Sequence, residues 1–127
     1  MKISLFDLTG ETAVVIGATG VLGGAIAEGL ALAGAQVAVL GRNRERGESR
    51  VRSIRNQGET AEFFQADALD RESLEAARKE LSSQLGPPTI LVNAAGGNDP
   101  RVIVTPERPF VTGIDIRVDG GFLSKTI

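Results

Sequence analysis

Thr12-Ala-Val-Val-Ile-Gly17-Ala-Thr-Gly20-Val-Leu-Gly23 is the stretch whose reading decides the fold. Its first five residues form a short, continuous apolar run of the kind that fills a strand buried on both faces of a parallel sheet. The three glycines follow at once. Beyond them, Leu22, Ala25, Ile26, Leu30 and Ala33 recur at helical spacing, and Gly34 supplies a stop signal. The run Val37-Ala-Val-Leu40 then resembles the first one. The stretch therefore opens a strand, helix, strand unit, with the glycines in the turn between the first two elements.

That position gives the glycines their chemistry. A dinucleotide pyrophosphate needs a tight turn off the strand, a backbone it can approach closely, and a helix N-terminus whose free N–H groups face the charge. Gly17, Thr19, Gly20, Val21, Leu22 and Gly23 are the residues expected to line it. The alternative is that the glycines only permit a tight turn and close helix packing. The turn lacks the Lys-Ser/Thr ending of a triphosphate-binding loop, which argues against a nucleotide triphosphatase.

Further along, Arg42 to Gln57 is charged, with Val51 and Ile54 as its main apolar positions and Gly58 as a C-terminal signal, and predicts a surface helix. Ala61 to Ala66 reads as a third strand. Asp70 opens a helix whose apolar stripe is Leu74, Ala77, Leu81 and Leu85, ended by Gly86-Pro87-Pro88. Ile90-Leu-Val92 is a fourth run suited to a buried strand. From Ala94 to Phe110 glycines and prolines leave no helical period, whereas Val111 to Val118 alternates as an edge strand does. The fold class expected is α/β: a Rossmann-like doubly wound parallel sheet, truncated to four N-terminal strands with crossover helices plus a C-terminal edge strand. One domain over residues 1–127 is expected.

The end of the second strand bears on cofactor choice. An acid there would bind the adenosine ribose hydroxyls, whereas a basic group accommodates a 2′-phosphate. Gly41 stands where the acid is expected and Arg42 follows. This favours NADP over NAD, because a guanidinium can hold a phosphate with paired hydrogen bonds. The competing reading is that Arg42 and Arg44 are solvated charges at an exposed helix start.

Composition narrows the remaining possibilities. The formal charge is −2, from 14 basic and 16 acidic residues, with no block of one sign to track a nucleic acid backbone. There is no Cys, His, Tyr or Trp, so thiolate and imidazole chemistry is excluded throughout the chain. No apolar run approaches membrane-spanning length, and an acid at Asp7 interrupts the start before a signal-peptide core forms, so a cytoplasmic protein without membrane contact is expected. The acidic pairs Glu59 with Glu62 and Asp67 with Asp70 lie around element ends and read as caps or solvated groups rather than a hydrolase dyad.

With Asn93-Ala-Ala-Gly96 closing the fourth strand, Gln65-Ala-Asp67-Ala after the third, and Val111-Thr-Gly113 leading into Val118-Asp-Gly-Gly121, the chain resembles the short-chain dehydrogenase/reductase family. The resemblance spans nearly the whole chain. It implies that Asp67 hydrogen-bonds the adenine amino group, that Ala68 touches the ring through its backbone, and that Asn93, Ala94 and Gly96 border the cofactor. It also implies hydride transfer between nicotinamide and a carbonyl or secondary alcohol, with dinucleotide and substrate as small-molecule partners and a homo-oligomeric assembly. Asn93-Ala-Ala-Gly-Gly-Asn-Asp-Pro100 is similar to the mannonate oxidoreductase or fructuronate reductase branch, which points to a sugar acid.

The departures from the family are as informative. Ile16 replaces the usual Thr, the central glycine is displaced, and Ala94 replaces the commoner second Asn. The family's Ser and Tyr-x-x-x-Lys catalytic residues have no counterpart. Beyond the fourth strand the only Ser and Lys are Ser124 and Lys125. No catalytic residue is assigned. The segment that carries the substrate pocket in the family is reduced to Gly97 to Phe110, which implies an internal deletion with its join near 109–111. Shortened in this way, the fourth strand would keep an exposed flank and an open edge. The chain could alternatively be a dinucleotide-binding module without catalysis, or an inactive deletion product.

Overall fold

The structure is a computed structural model that describes residues 5–96. The expected strand at Val111 to Val118 and the join near 109–111 lie outside the described residues. Within them the elements run β1 (Thr12–Ile16), α1 (Val21–Leu32), β2 (Gln36–Gly41), α2 (Arg44–Asn56), β3 (Ala61–Gln65), α3 (Arg71–Leu85) and β4 (Ile90–Asn93). All strand pairs are parallel and the sheet order is β3-β2-β1-β4. The chain thus moves outward from β1 to β3, crosses back beneath the sheet through α3, and lays β4 on the other side of β1. That reversal marks the doubly wound pattern.

Each sheet face has its own apolar cluster. Val15 and Ala13 of β1, Val37 and Val39 of β2, and Ala61 of β3 pack with Ala27 and Ala31 of α1 and Val51 and Ile54 of α2. Val14, Ala38, Leu40 and Phe64 point the opposite way, onto Ala77, Leu81 and Leu85 of α3. The alternation follows from the two-residue period of a strand, and it explains why β1 and β2 are apolar at nearly every position. Thr12 is the buried polar exception. Its hydroxyl donates to the Leu85 carbonyl at 2.9 Å, satisfying a backbone acceptor at the end of α3.

Two helix starts are closed by side chains. Asn43 accepts from the Arg46 N–H at 2.9 Å, and Asp70 accepts from Glu72 and Ser73. Gly34, Gly58 and Gly86, all at positive φ, follow the three helices, as the stop signals predicted. Of the acidic pairs, Glu62 is engaged with Arg55 and Asp70 with the cap of α3, so neither pair forms a facing dyad.

Two expectations are corrected. Leu22 and Ala25 do not face the sheet: α1 buries Gly23, Gly24, Ala27 and Ala31, while Val21 and Leu22 are exposed. The tight turn fixes this rotation, because it presses the Gly23 Cα against the Gly17 carbonyl and so turns the small-residue face inward. Nor is β4 buried on both faces. It has a neighbour only in β1 among the described residues, and Leu91 is 69% exposed.

Across α1 and α2, Arg50 Nη1 donates to Glu28 Oε1 at 2.6 Å and Ser53 Oγ donates to the same oxygen at 3.1 Å. The Arg50 hydrogen bond holds the Glu28 carboxyl below its ordinary range. A carboxylate with a lowered folded pKa stabilises the fold above its unfolded pKa and loses that contribution as pH falls through the folded value. Glu28→Gln is therefore expected to cost about 1 kcal/mol near neutrality. The gap from wild type should close in acid. Urea unfolding across a pH series checks both; a gap that persists unchanged at low pH would contradict the linkage.

Candidate functional site

In a parallel sheet all strands end on the same edge, and here their register aligns those ends closely. Ile16 of β1 lies beside Leu40 of β2 and Asn93 of β4, while Gly41 lies beside Gln65 of β3. Every residue singled out for cofactor contact falls at or just after one of these ends. The ends of β1 and β4 also lie side by side where the strand order reverses, which is the place where open α/β sheets bind ligands.

The glycine turn is held by both neighbouring strands. Gly17 and Ala18 donate their N–H groups to the Leu40 carbonyl at 3.0 and 3.3 Å, and Ala94 donates to the Ile16 carbonyl at 2.9 Å. Gly17 has φ +84°, and a Cβ placed there would lie 2.7 Å from the Ala94 carbonyl carbon and oxygen. The two motifs that the sequence separates by more than seventy residues are thus in van der Waals contact. Gly20 is the N-cap of α1, in extended backbone, and its N–H donates to the Gly17 carbonyl.

The start of α1 differs from the other two helix starts. No side chain caps it, and its first turn contains no acid. The N–H groups of the first turn have no acceptor within the helix and point along its axis, where the helix dipole is positive. An anion placed there would meet donors that are otherwise left to water. This fits a pyrophosphate on its chemistry, because the turn offers backbone donors and no carboxylate to repel it.

Around the second strand end, Arg42 is exposed and takes part in no ion pair among the described residues. Gln65 Nε2 donates to the Arg42 carbonyl at 3.1 Å, which ties the residue after β2 to the end of β3. The Thr19 side chain reaches across from the glycine turn onto the Cα of Gly41. Gln65 as a support and Thr19 as a neighbour of Gly41 escaped sequence reasoning. The only signal was the bare glycine at a strand end, which hints that something occupies the space beside it.

After β3, the Asp67 carboxylate accepts from the Leu69 N–H at 2.9 Å, and the Asp67 N–H donates to Ser73 Oγ at 3.0 Å. The turn is therefore fixed by Asp67 while Asp70 caps the helix, and one Asp67 oxygen, Oδ2, is left for another partner. Ala68 is exposed beside it, as are Asn93 and Gly96 across the edge. Among the described residues, no three potential metal ligands gather and no helix is long and apolar enough to cross a membrane.

The sequence pattern of the short chain dehydrogenase family matches residues 11–123. An uncharacterized oxidoreductase, UxuB, of Bacillus subtilis is 37% identical over 137 aligned positions, which take in 95% of this chain and 49% of that protein. A crystal structure of a gluconate 5-dehydrogenase from Burkholderia cenocepacia with NADP and tartrate superposes with a TM-score of 0.68 at 32% identity, covering 80% of this chain and 41% of that one. A proposed D-mannonate oxidoreductase of Haemophilus influenza with bound NAD gives 0.74 at 28% identity, over 86% of this chain and 39% of its own. The chain spans about half the length, or less, of the relatives it matches.

Proposed function

The chain belongs to the short-chain dehydrogenase/reductase family, and from that premise we propose that it is the dinucleotide-binding portion of an NADP-preferring oxidoreductase. The observation that carries this reading is the uncapped, acid-free start of α1 behind the Gly17 turn, set at the reversal of strand order. Gly17, Thr19, Gly20, Val21, Leu22 and Gly23 would hold the pyrophosphate. Asp67 and Ala68 would border the adenine, Arg42 the 2′-phosphate, and Asn93, Ala94 and Gly96 the nicotinamide side. When bound, the cofactor supplies a hydride acceptor or donor. Nothing in the protein has to carry the redox change itself.

The reaction class proposed for the parent enzyme is hydride exchange with a carbonyl or secondary alcohol, with a sugar acid as substrate. The gluconate-directed relative and the Asn93 to Pro100 run support the sugar-acid class. NADP is favoured over NAD by Gly41 and Arg42, although relatives with either dinucleotide are known. A second reading, a dinucleotide-binding module without catalysis, draws on the absence of any Tyr or His. Leu91, exposed on β4, which pairs only with β1 among the described residues, supports self-association, which sedimentation over a concentration series would report.

Arg42→Ala tests the cofactor reading. Loss of a charged hydrogen bond to the 2′-phosphate is expected to weaken NADP by about 1.5–3 kcal/mol and leave NAD nearly unchanged. Calorimetric titration with both nucleotides measures it. Equal weakening of the two would remove Arg42 from the phosphate site, and a wild-type chain that binds neither would overturn the dinucleotide reading.

A further inference from the structure

We propose that Thr19 is a specificity-determining residue, acting through its contact with Gly41 to keep a carboxylate out of the ribose site. The proposal rests on the dinucleotide reading and goes beyond it by naming what excludes NAD-type recognition. A Cβ built on Gly41 would lie 2.5 Å from Thr19 Cγ2, 3.0 Å from its hydroxyl oxygen and 3.4 Å from its Cβ. The first distance is one that real Cβ atoms do not adopt, and the second is tighter than ordinary contact. Position 41 is buried at the end of β2, in register with Gln65, so its backbone has little room to retreat.

Relief by a change in the Thr19 side chain is restricted too. Thr carries two heavy atoms on Cβ and is stiff about χ1, so a rotation that frees one of them tends to bring the other in. The acid that would bind ribose hydroxyls at the end of β2 therefore has no place to start from while Thr19 is present. In its stead the Thr19 hydroxyl stands 3.0 Å from where a Gly41 Cβ would lie, with no hydrogen-bond partner among the described residues, and the exposed Arg42 is the next residue along the chain. Loss of the acid is thereby tied to one steric contact.

The geometry also says which change undoes the block. Thr19→Ala removes Cγ2 and the hydroxyl and leaves only the Cβ, which lies at ordinary contact distance. The test is a cycle of Gly41→Asp, Thr19→Ala and the double variant, with NADP and NAD affinities from calorimetry and thermal unfolding midpoints measured without ligand. Gly41→Asp alone is expected to lower the midpoint and to weaken NADP about tenfold or more, without a gain in NAD affinity. The double variant is expected to recover the midpoint and to prefer NAD.

Gly41→Ala with and without Thr19→Ala repeats the stability part without added charge, and should show the same rescue. If Gly41→Asp by itself binds NAD as well as the double variant does, or if Thr19→Ala rescues neither side chain at position 41, the contact does not control specificity and the proposal is overturned. Those outcomes leave NADP binding by the wild-type chain intact. A wild-type chain that binds neither nucleotide overturns the proposal together with the reading beneath it.

Discussion

Gly17→Ala is expected to destabilise the fold by about 2–5 kcal/mol, the sum of two separate penalties. A side chain in the left-handed region costs about 1–2 kcal/mol, and forcing a methyl into filled space costs about 1–3 kcal/mol more. Both apply here, because Gly17 has φ +84° and the added carbon would meet the Ala94 backbone at 2.7 Å. The obstacle is main chain and cannot swing aside. To fit the methyl, the turn would have to separate from the end of β4, and its backbone donors would move with it.

Gly20→Ala supplies the contrast within the same turn. Its φ is −82°, and the nearest atom to an added Cβ is the Gly17 carbonyl oxygen at 3.4 Å, an ordinary contact. The loss there should stay within about 1 kcal/mol, the size of an N-cap preference. Urea unfolding of the two variants checks the difference. Equal stabilities would mean that the turn does not depend on the approach of Gly17 to Ala94.

The second large effect concerns catalysis. A purified chain of verified 127-residue mass is expected to oxidise NADPH in the presence of keto acids or simple ketones no faster than a protein-free control. General acid/base assistance is commonly worth about 10²- to 10⁴-fold, and there is no Tyr or His to give it. The Lys79 ammonium sits on α3, among the residues that face solvent. Orientation of the substrate should be lost as well, since the relatives extend about twice as far as this chain does.

Turnover well above the control would reject the expectation. An intact mass well above 13.3 kDa would show that the protein made is longer than the sequence, and would move the expectation from a binding module to an active enzyme. In the proposed reading binding and catalysis are separable: Arg42 and Gly17 would bear on the first, and the missing acid on the second. A chain that binds NADP and turns nothing over is the combined expected result.

Much of this was legible before any coordinates. The apolar runs at β1 and β2 announced strands buried on both faces, because a parallel sheet covered on both sides leaves no position facing water. Val51 with Ile54, and Leu74, Ala77, Leu81 and Leu85, marked the inward faces of α2 and α3, since only one stripe of a helix can be buried against a sheet. The glycine turn was placed correctly because its neighbours fixed it between a strand and a helix. These are local properties, set by side-chain period and backbone freedom.

Only the tertiary structure decided the rest. The rotation of α1 depends on the press of Gly23 against Gly17, and steric contact overrode the helical spacing of Leu22 and Ala25. The exposure of Leu91 depends on what lies beside β4, which the run Ile90-Leu-Val92 cannot announce. Thr19 and Gly41 each stood out in the sequence for a separate reason, and nothing in the chain announced that they touch. Parallel pairing of β1 with β2 brings their ends level, and distance in space then sets a steric rule that composition and spacing could not contain.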